Sequence, residues 1–330
     1  MSHHVRLARP DDRPRIQALI AELLPDVDPK RRWDWIYAGN PHGDALTWLA
    51  IDGPTGEAAG CTSFFRRKLV VDGREVAGAL GGDGFVSPRF RRRGIGGAMH
   101  RASAADMGTH GIEVMFGTPM PANATPLAAA GARDVTQTVR YVRVLDAHAL
   151  HLPGLLGDLA TPFIAPLPTR ARLEPMLPLD RRVDELWRET QPELGIATVR
   201  DAEFMTWRYL DSPSRRQHAF VVMHRHDPIG AVALEIIGRR MRLVDVLAPA
   251  ASWSRVLRAV ASFGRGLDSI EFKTTDRNSR RYQLWKYGWV GRDTKPLNIL
   301  LPPGEPNAQV FYDANRWYFT WAESDLDAAI

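Results

Sequence analysis

Cysteine is nearly absent: Cys61 is the only one in 330 residues. A single thiol excludes a disulfide framework and a thiolate zinc site. Metal-binding histidine spacings such as H-E-x-x-H are missing as well, so no metal is expected. No apolar run approaches the roughly 18–20 residues of a membrane helix, so no helical span and no membrane partner are expected. The stretch from Met1 to Pro10 carries histidine and arginine where a secretory signal has an apolar core, and a cytoplasmic protein is expected. Lysine is scarce too. Lys30, Lys68, Lys273, Lys286 and Lys295 are the only ones, so nearly all the positive charge is arginine. The net charge of +5 suits an anionic ligand such as a phosphorylated cofactor. No basic tail and no aromatic ladder points to nucleic acid, and none is expected as a partner.

What is present is ordinary globular composition, 45% hydrophobic and 25% charged. That excludes a disordered chain, a collagen-like repeat and a coiled coil. The length suits about two domains of roughly 150 residues each.

The chain opens as a strand at Val5–Ala8, followed by a helix for which Asp11 is the expected cap. Its apolar stripe is Ile16, Leu19, Ile20, Leu23 and Leu24. Strand patterns follow at 46–52, 58–71 and 74–86, the last two joined by the hairpin turn Asp72-Gly73. A helix over 96–107, a strand over 111–118, a short helix near 125–130 and a strand over 135–145 complete the unit. Residues 148–179 are rich in proline and read as a linker. Beyond it the same order returns: helices near 181–190 and 201–210, strands at 219–224, 229–237 and 240–247, a helix at 252–264, a strand at 269–274, a helix at 278–287, and strands at 296–301 and 317–321. A local echo supports duplication. Trp35, Tyr37 and Pro41 recur at the same spacing as Trp207, Tyr209 and Pro213. The fold class is therefore α/β (α+β), in two units over 1–147 and 180–330.

The most informative segment runs from Gly84 to Met99. A strand ends near Val86, a loop of arginines and glycines follows, and a helix begins near Gly96. Glycines at 94, 96 and 97 let the backbone approach a ligand closely. Free amides at the positive end of a helix dipole make an anion site, suited to a pyrophosphate. Arg91, Arg92 and Arg93 add charge and bidentate hydrogen bonding. Neither G-x-G-x-x-G nor G-x-x-x-x-G-K-[ST] is present, which excludes the two commonest alternative phosphate loops.

Val86-Ser87-Pro88 followed by Arg91-x-x-Gly94-x-Gly96 resembles the central motif of the GCN5-related N-acetyltransferases, V-x-P-x-x-[RQ]-x-x-G-x-[GA]. The resemblance implies two such domains, each a mixed, mostly antiparallel sheet flanked by helices. It implies acetyl-CoA or another acyl-CoA as cosubstrate. Phe85 and Val86 would face the pantetheine arm. Arg91, Arg92, Arg93, Gly94, Ile95, Gly96 and Gly97 would hold the pyrophosphate. Asn123 would contact the cofactor or serve as a turn or helix cap. The tyrosine that often reprotonates the leaving thiolate in this family is replaced by Leu127, with Tyr141 as the substitute candidate acid. Asp83, set among glycines, is the candidate general base, or else orients the loop. Cys61 reads as a small buried residue rather than a nucleophile, and Trp33, Trp35 and Tyr37 as core.

The second half lacks the loop: Ala248 to Trp253 stands where it would be. Leu284-Trp-Lys-Tyr-Gly-Trp289 resembles a later family element, so this half reads as a degenerate copy that shapes the acceptor pocket. Tandem arrangements of this fold are known in N-myristoyltransferase and mycothiol synthase. The resemblance implies direct attack of a small-molecule amine, such as an amino sugar, on the thioester in a ternary complex. A homodimer is compatible with the sequence. Two alternatives stand beside this reading: a CoA-binding regulatory protein without turnover, and an aminoacyl or peptidoglycan-bridge transferase.

Overall fold

The computed structural model describes residues 3–150, 166, 168–214 and 216–324. The first half contains β1 (His3–Leu7), α1 (Arg13–Leu23), α2 (Pro29–Arg32), β2 (Leu46–Asp52), β3 (Ala58–Val71), β4 (Arg74–Val86), α3 (Ile95–Asp106), β5 (Val114–Gly117), α4 (Pro121–Ala129) and β6 (Arg133–Val144). The second contains β7 (Ala171–Pro175), α5 (Arg181–Thr190), β8 (Ile196–Thr198), α6 (Ala202–Met205), β9 (Gln217–His224), β10 (Asp227–Ile237), β11 (Arg240–Leu247), α7 (Trp253–Phe263), β12 (Ser269–Thr275), α8 (Asp276–Arg281) and β13 (Val290–Leu300).

Local chemistry explains the starts and turns. Asp72 and Gly73 both take positive φ (50° and 81°), the geometry that matches the twist of the β3–β4 hairpin. Asp12, not Asp11, organises the entry to α1. Its carboxylate accepts from the Arg9 amide at 2.8 Å and pairs with Arg6 at 2.6 Å. The Arg6 hydrogen bond holds its carboxyl down at about 2. Ile16, Leu19 and Ile20 are buried, as the stripe requires.

The strands form one sheet in the order β1-β2-β3-β4-β5-β13-β6-β12-β11-β10-β9-β7, with β8 beside β3. The order is a palindrome about the β13–β6 pair. β4–β5 and β11–β12 are parallel, and the other neighbours along the path are antiparallel. The two halves thus exchange their last strands: β13 inserts between β5 and β6, and β6 lies between β13 and β12. The halves share one sheet and one large core that includes residues from both.

Three sequence expectations change. Part of the proline-rich stretch, Ala171–Pro175, is an edge strand on β9, with Ala171 and Met176 buried; residues 151–165 and 167 of that stretch lie outside the described residues. The expected strand at 317–321 is a single bridge, Ile196 to Trp317, followed by irregular chain. Here the aromatic run reflects burial, since Trp317, Tyr318 and Phe319 are all core. The expected helix over 278–287 is split into α8 and a separate 3-10 turn at Leu284–Tyr287, broken where Gln283 takes φ 51°.

The repeated Trp-x-Tyr segments are both π-helical turns, Trp33–Tyr37 and Thr206–Leu210. They meet across the pseudo-symmetry. The Trp35 and Trp207 rings stack with centroids 5.2 Å apart. Each indole N–H donates to the other's carbonyl at 3.0 Å. The echo in the sequence is therefore a self-complementary joint.

Candidate active site

β4 and β5 are paired only from Gly78–Val114 to Leu80–Phe116. Beyond that their pairing stops, while β5 stays paired with β13 on its other edge through Gly117–Asn298. β4 meanwhile loses its register with β3 between Cys61 and Ser63. A cavity of about 120 Å³ occupies the opening. Gly81 to Gly84 of β4, Met115 and Gly117 of β5, His100 of α3, Asn123 and Leu127 of α4, and Asn298 of β13 line it. A Cβ on Gly81 would lie 2.8 Å from Met115 Sδ, so a larger residue there would make the Met115 side chain shift.

The arginine–glycine loop leads from the end of β4 into α3. Gly94 is the residue before the helix, at φ 75°, and no side chain caps it. The Ala98 amide is the first to find the Gly94 carbonyl, so the amides of Ile95, Gly96 and Gly97 are left for a ligand. A Cβ on Gly96 would meet nothing closer than 3.9 Å, so there is room for a side chain at this position. α3 is 12 residues long, and its dipole adds to the anion site. Arg91 and Arg92 are exposed at the loop, with Arg92 at φ 60°. Arg91 Nε donates to the Val86 carbonyl at 3.1 Å and its guanidinium lies over Phe85. Arg93 is exposed as well, but its guanidinium is engaged by the protein. It reaches Asp52 at 3.4 Å and the Arg89 carbonyl at 3.2 Å, and so ties the loop to β2. The donor set fits a pyrophosphate, with two arginines and three amides outward.

Asn123 sits inside α4 rather than capping it, and its Nδ2 donates to the Gly84 carbonyl at 3.0 Å. It bridges α4 to the open edge of β4. Phe85 and Val86 still pair with Cys61 and Gly60. Asp83 lies at φ 46° in the β4 bulge, and its carboxylate is fully engaged. Arg32 Nε and Nη2 hold it at 3.0 and 2.7 Å, and the Tyr37 hydroxyl donates to it at 2.7 Å. Tyr141 is not among the residues lining the cavity. It lies on β6 opposite Phe272 and Gly291, buried between strands of the second half, and burial raises its hydroxyl pKa. The structure therefore does not bring the two candidate catalytic residues together. Cys61 is buried, its Sγ donating to the Asp83 carbonyl at 3.5 Å, and burial raises its thiol pKa.

Among the lining residues that sequence reasoning missed are His100 and Asn298. His100 is 3% exposed, its Nδ1 has no partner among the described residues, and burial holds the imidazole neutral with a pKa of about 4. Its position five residues past Ile95 on α3 was the available signal. Asn298 comes from the other half of the chain, and nothing local marks it.

The second half repeats the architecture, and its β11 likewise runs beyond its last pair with β12, Leu243–Phe272. Its counterpart of the Asp83 cluster is intact: Asp245 on β11 accepts from Arg200 Nε at 3.0 Å and from the Tyr209 hydroxyl at 3.1 Å. The loop is replaced by Trp253, whose indole donates to the Ala248 carbonyl at 2.9 Å and stacks on Tyr282 at 3.6 Å. The Tyr318 hydroxyl donates to the Val246 carbonyl, past the last β11–β12 pair. The chain's own aromatic side chains thus engage carbonyls at the open end of β11. Among the described residues no group of three or more His, Cys, Asp or Glu side chains could hold a metal, and no helix is long and apolar enough to cross a membrane.

No family model matches the sequence, and no curated protein does. Solved structures do resemble the fold. A conserved protein of unknown function from Enterococcus faecalis, described as a probable N-acyltransferase, superposes with a TM-score of 0.67 at 11% identity, covering 91% of this chain and 72% of that one. A GCN5-related N-acetyltransferase from Anabaena variabilis gives 0.68 at 12% identity, covering 90% and 72%. N-myristoyltransferase from Saccharomyces cerevisiae with bound myristoyl-CoA gives 0.57 at 11% identity, covering 90% and 82%. Likeness at this identity speaks to architecture, and together with the interrupted β4–β5 pairing and the uncapped glycine loop it establishes that this chain has the fold of the GCN5-related N-acetyltransferases.

Proposed function

We propose that the protein is an acyl-CoA-dependent N-acyltransferase, with acetyl-CoA as the favoured donor and a small-molecule amine as acceptor. One observation carries this reading: an uncapped helix N-terminus with outward arginines opens beside a cleft between parallel strands whose pairing has stopped. Gly94, Ile95, Gly96 and Gly97, with Arg91 and Arg92, hold the pyrophosphate. The free edge of β4 from Gly81 to Gly84 takes the pantetheine amides. The amine attacks the thioester carbonyl directly and the thiolate of CoA leaves, so positioning supplies most of the rate. Donors on the strand edge polarise the carbonyl.

Asp83 is assigned to architecture rather than to proton transfer. Both of its oxygens accept from Arg32 or Tyr37, and Asp245 keeps an arginine and a tyrosine partner, Arg200 and Tyr209, in the half that lacks the loop. His100 lines the cleft as a neutral imidazole, suited to accept a hydrogen bond from the amine rather than to keep its proton, because burial lowers its pKa to about 4.

The test is calorimetric titration with acetyl-CoA, CoA and a longer acyl-CoA, followed by a screen of amines. Micromolar binding is expected, and absence of binding to all three removes the transferase reading. Asp83→Asn should lose about 3–5 kcal/mol of stability, the cost of uncoupling a buried ion pair, while acyl-CoA affinity holds. Loss of turnover in a variant as stable as the parent would restore Asp83 as the base.

A further inference from the structure

A second cavity, of about 650 Å³, lies between α4 and β13. Pro121, Ala124, Thr125 and Ala128 form one wall, and Thr294 to Pro296 the other. It shares Pro119 and Asn298 with the cleft between β4 and β5. Asn298 therefore stands where the two spaces meet. It is 5% exposed. Its Nδ2 donates to Asp134 Oδ1 at 3.0 Å. Because a carboxylate only accepts, this contact fixes the amide's orientation and leaves Oδ1 as the free end. Oδ1 is buried and has no hydrogen-bond partner among the described residues. A buried carbonyl oxygen left without a donor costs free energy unless a ligand supplies one.

We infer that Asn298 receives the N–H of the acceptor amine, which enters through the groove between α4 and β13 while the acyl donor occupies the cleft between β4 and β5. This assignment rests on the acyl-transfer reading. It gives the second half a direct part in the site: β13 supplies both one wall of the acceptor path and the group that orients the amine. Asp134 braces the Asn298 amide and places a carboxylate at the junction, while Lys295 on the β13 wall adds a cation to the groove; the carboxylate is the charge in contact with Asn298, and there it favours a protonated amine over an anion. Asn298 acts on the acceptor and not on the donor, so its loss should leave acyl-CoA affinity unchanged.

The site can be probed whatever the acceptor is. Asn298→Cys places a thiol at the junction, and Cys61, at 1% exposure, gives little background, with the parent chain as the blank. The probes are 2-aminoethyl and 2-sulfonatoethyl methanethiosulfonate. In each reaction the introduced thiolate attacks the sulfenyl sulfur, a disulfide forms, the thiosulfonate S–S bond breaks and methanesulfinate leaves. The aminoethyl reagent should react at least about tenfold faster than the sulfonate, against the chain's net positive charge. That rate should persist with saturating acetyl-CoA, because the groove is a separate entrance, and should fall about tenfold when Ala128→Trp blocks it. Equal rates for the two reagents, or shielding by acetyl-CoA with no effect of Ala128→Trp, would overturn the inference. Thr125→Cys, exposed on the same groove, repeats the charge comparison without disturbing a buried residue; preference for the sulfonate there also counts against it. If the parent chain binds no acyl-CoA by calorimetry yet the labelling pattern holds, the donor reading fails and the amine site stands.

Discussion

At the scale of single residues, burial decides chemistry more than residue type does. Asp83 has the type and the neighbours of a general base, but Arg32 and Tyr37 occupy its oxygens. His100 carries no motif, yet it is the neutral imidazole against the cavity. The same burial has a measurable cost. Desolvation lowers His42 to about 3 and His100 to about 4, with neighbouring Arg67 and Lys68 adding to the shift at His42. Both folded values lie below the roughly 6.5 of an unfolded histidine. Below pH 6.5 the unfolded chain therefore binds protons that the folded chain refuses, and stability falls with pH, by up to about 1.4 kcal/mol per unit for each histidine, until the folded values are reached. Chemical denaturation between pH 7 and 4 should show this slope, and His42→Gln with His100→Gln should flatten it. Parallel profiles for parent and variant would assign the slope to other groups.

Among elements, the contrast between α3 and α7 is the most telling. Both follow a strand that pairs in parallel with the next strand of its half, and both open on a residue packed into the core, Ile95 or Trp253. α3 begins after a left-handed glycine with no side chain capping its first turn. α7 begins with an indole that satisfies the Ala248 carbonyl and covers Tyr282. One element leaves its first amides without a side-chain cap, and the other closes a core. Gly96→Trp should therefore abolish acyl-CoA binding in calorimetry while leaving the melting temperature near the parent's, because the nearest atoms to a Cβ at this position are 3.9 Å away. Retained binding would remove the pyrophosphate assignment. The loop was legible in the sequence because its parts are contiguous: a strand end, glycines and a helix start.

The whole molecule is less modular than two sequence repeats suggest. The palindromic sheet places β13 of the second half between β5 and β6 of the first. The Trp35–Trp207 joint adds reciprocal hydrogen bonds across the two copies. A half expressed alone would expose unpaired edges of β5 and β6, or of β12 and β13, in its interior. Fragments 1–150 and 166–330 should each be unfolded by circular dichroism and recover native signal when co-expressed. A folded, monomeric first fragment would show that the strand exchange is dispensable.

Most strands and helices, the duplication and the anion loop are legible in the chain alone, because each is written in neighbouring residues through alternation, helical period, turn chemistry or a short motif. Trp35, Tyr37, Trp207 and Tyr209 are likewise marked as a repeated unit, but nothing in their spacing says that the copies touch. The remainder was settled by packing in three dimensions. Folding paired Asp83 with Arg32, 51 positions away, and set Asn298 beside Gly117, 181 positions away. It also turned Ala171–Pro175 from apparent linker into an edge strand. The physical reason is the same in each case: strand exchange and burial depend on which surfaces meet, and that information is distributed over both halves of the chain rather than carried by any one segment of it.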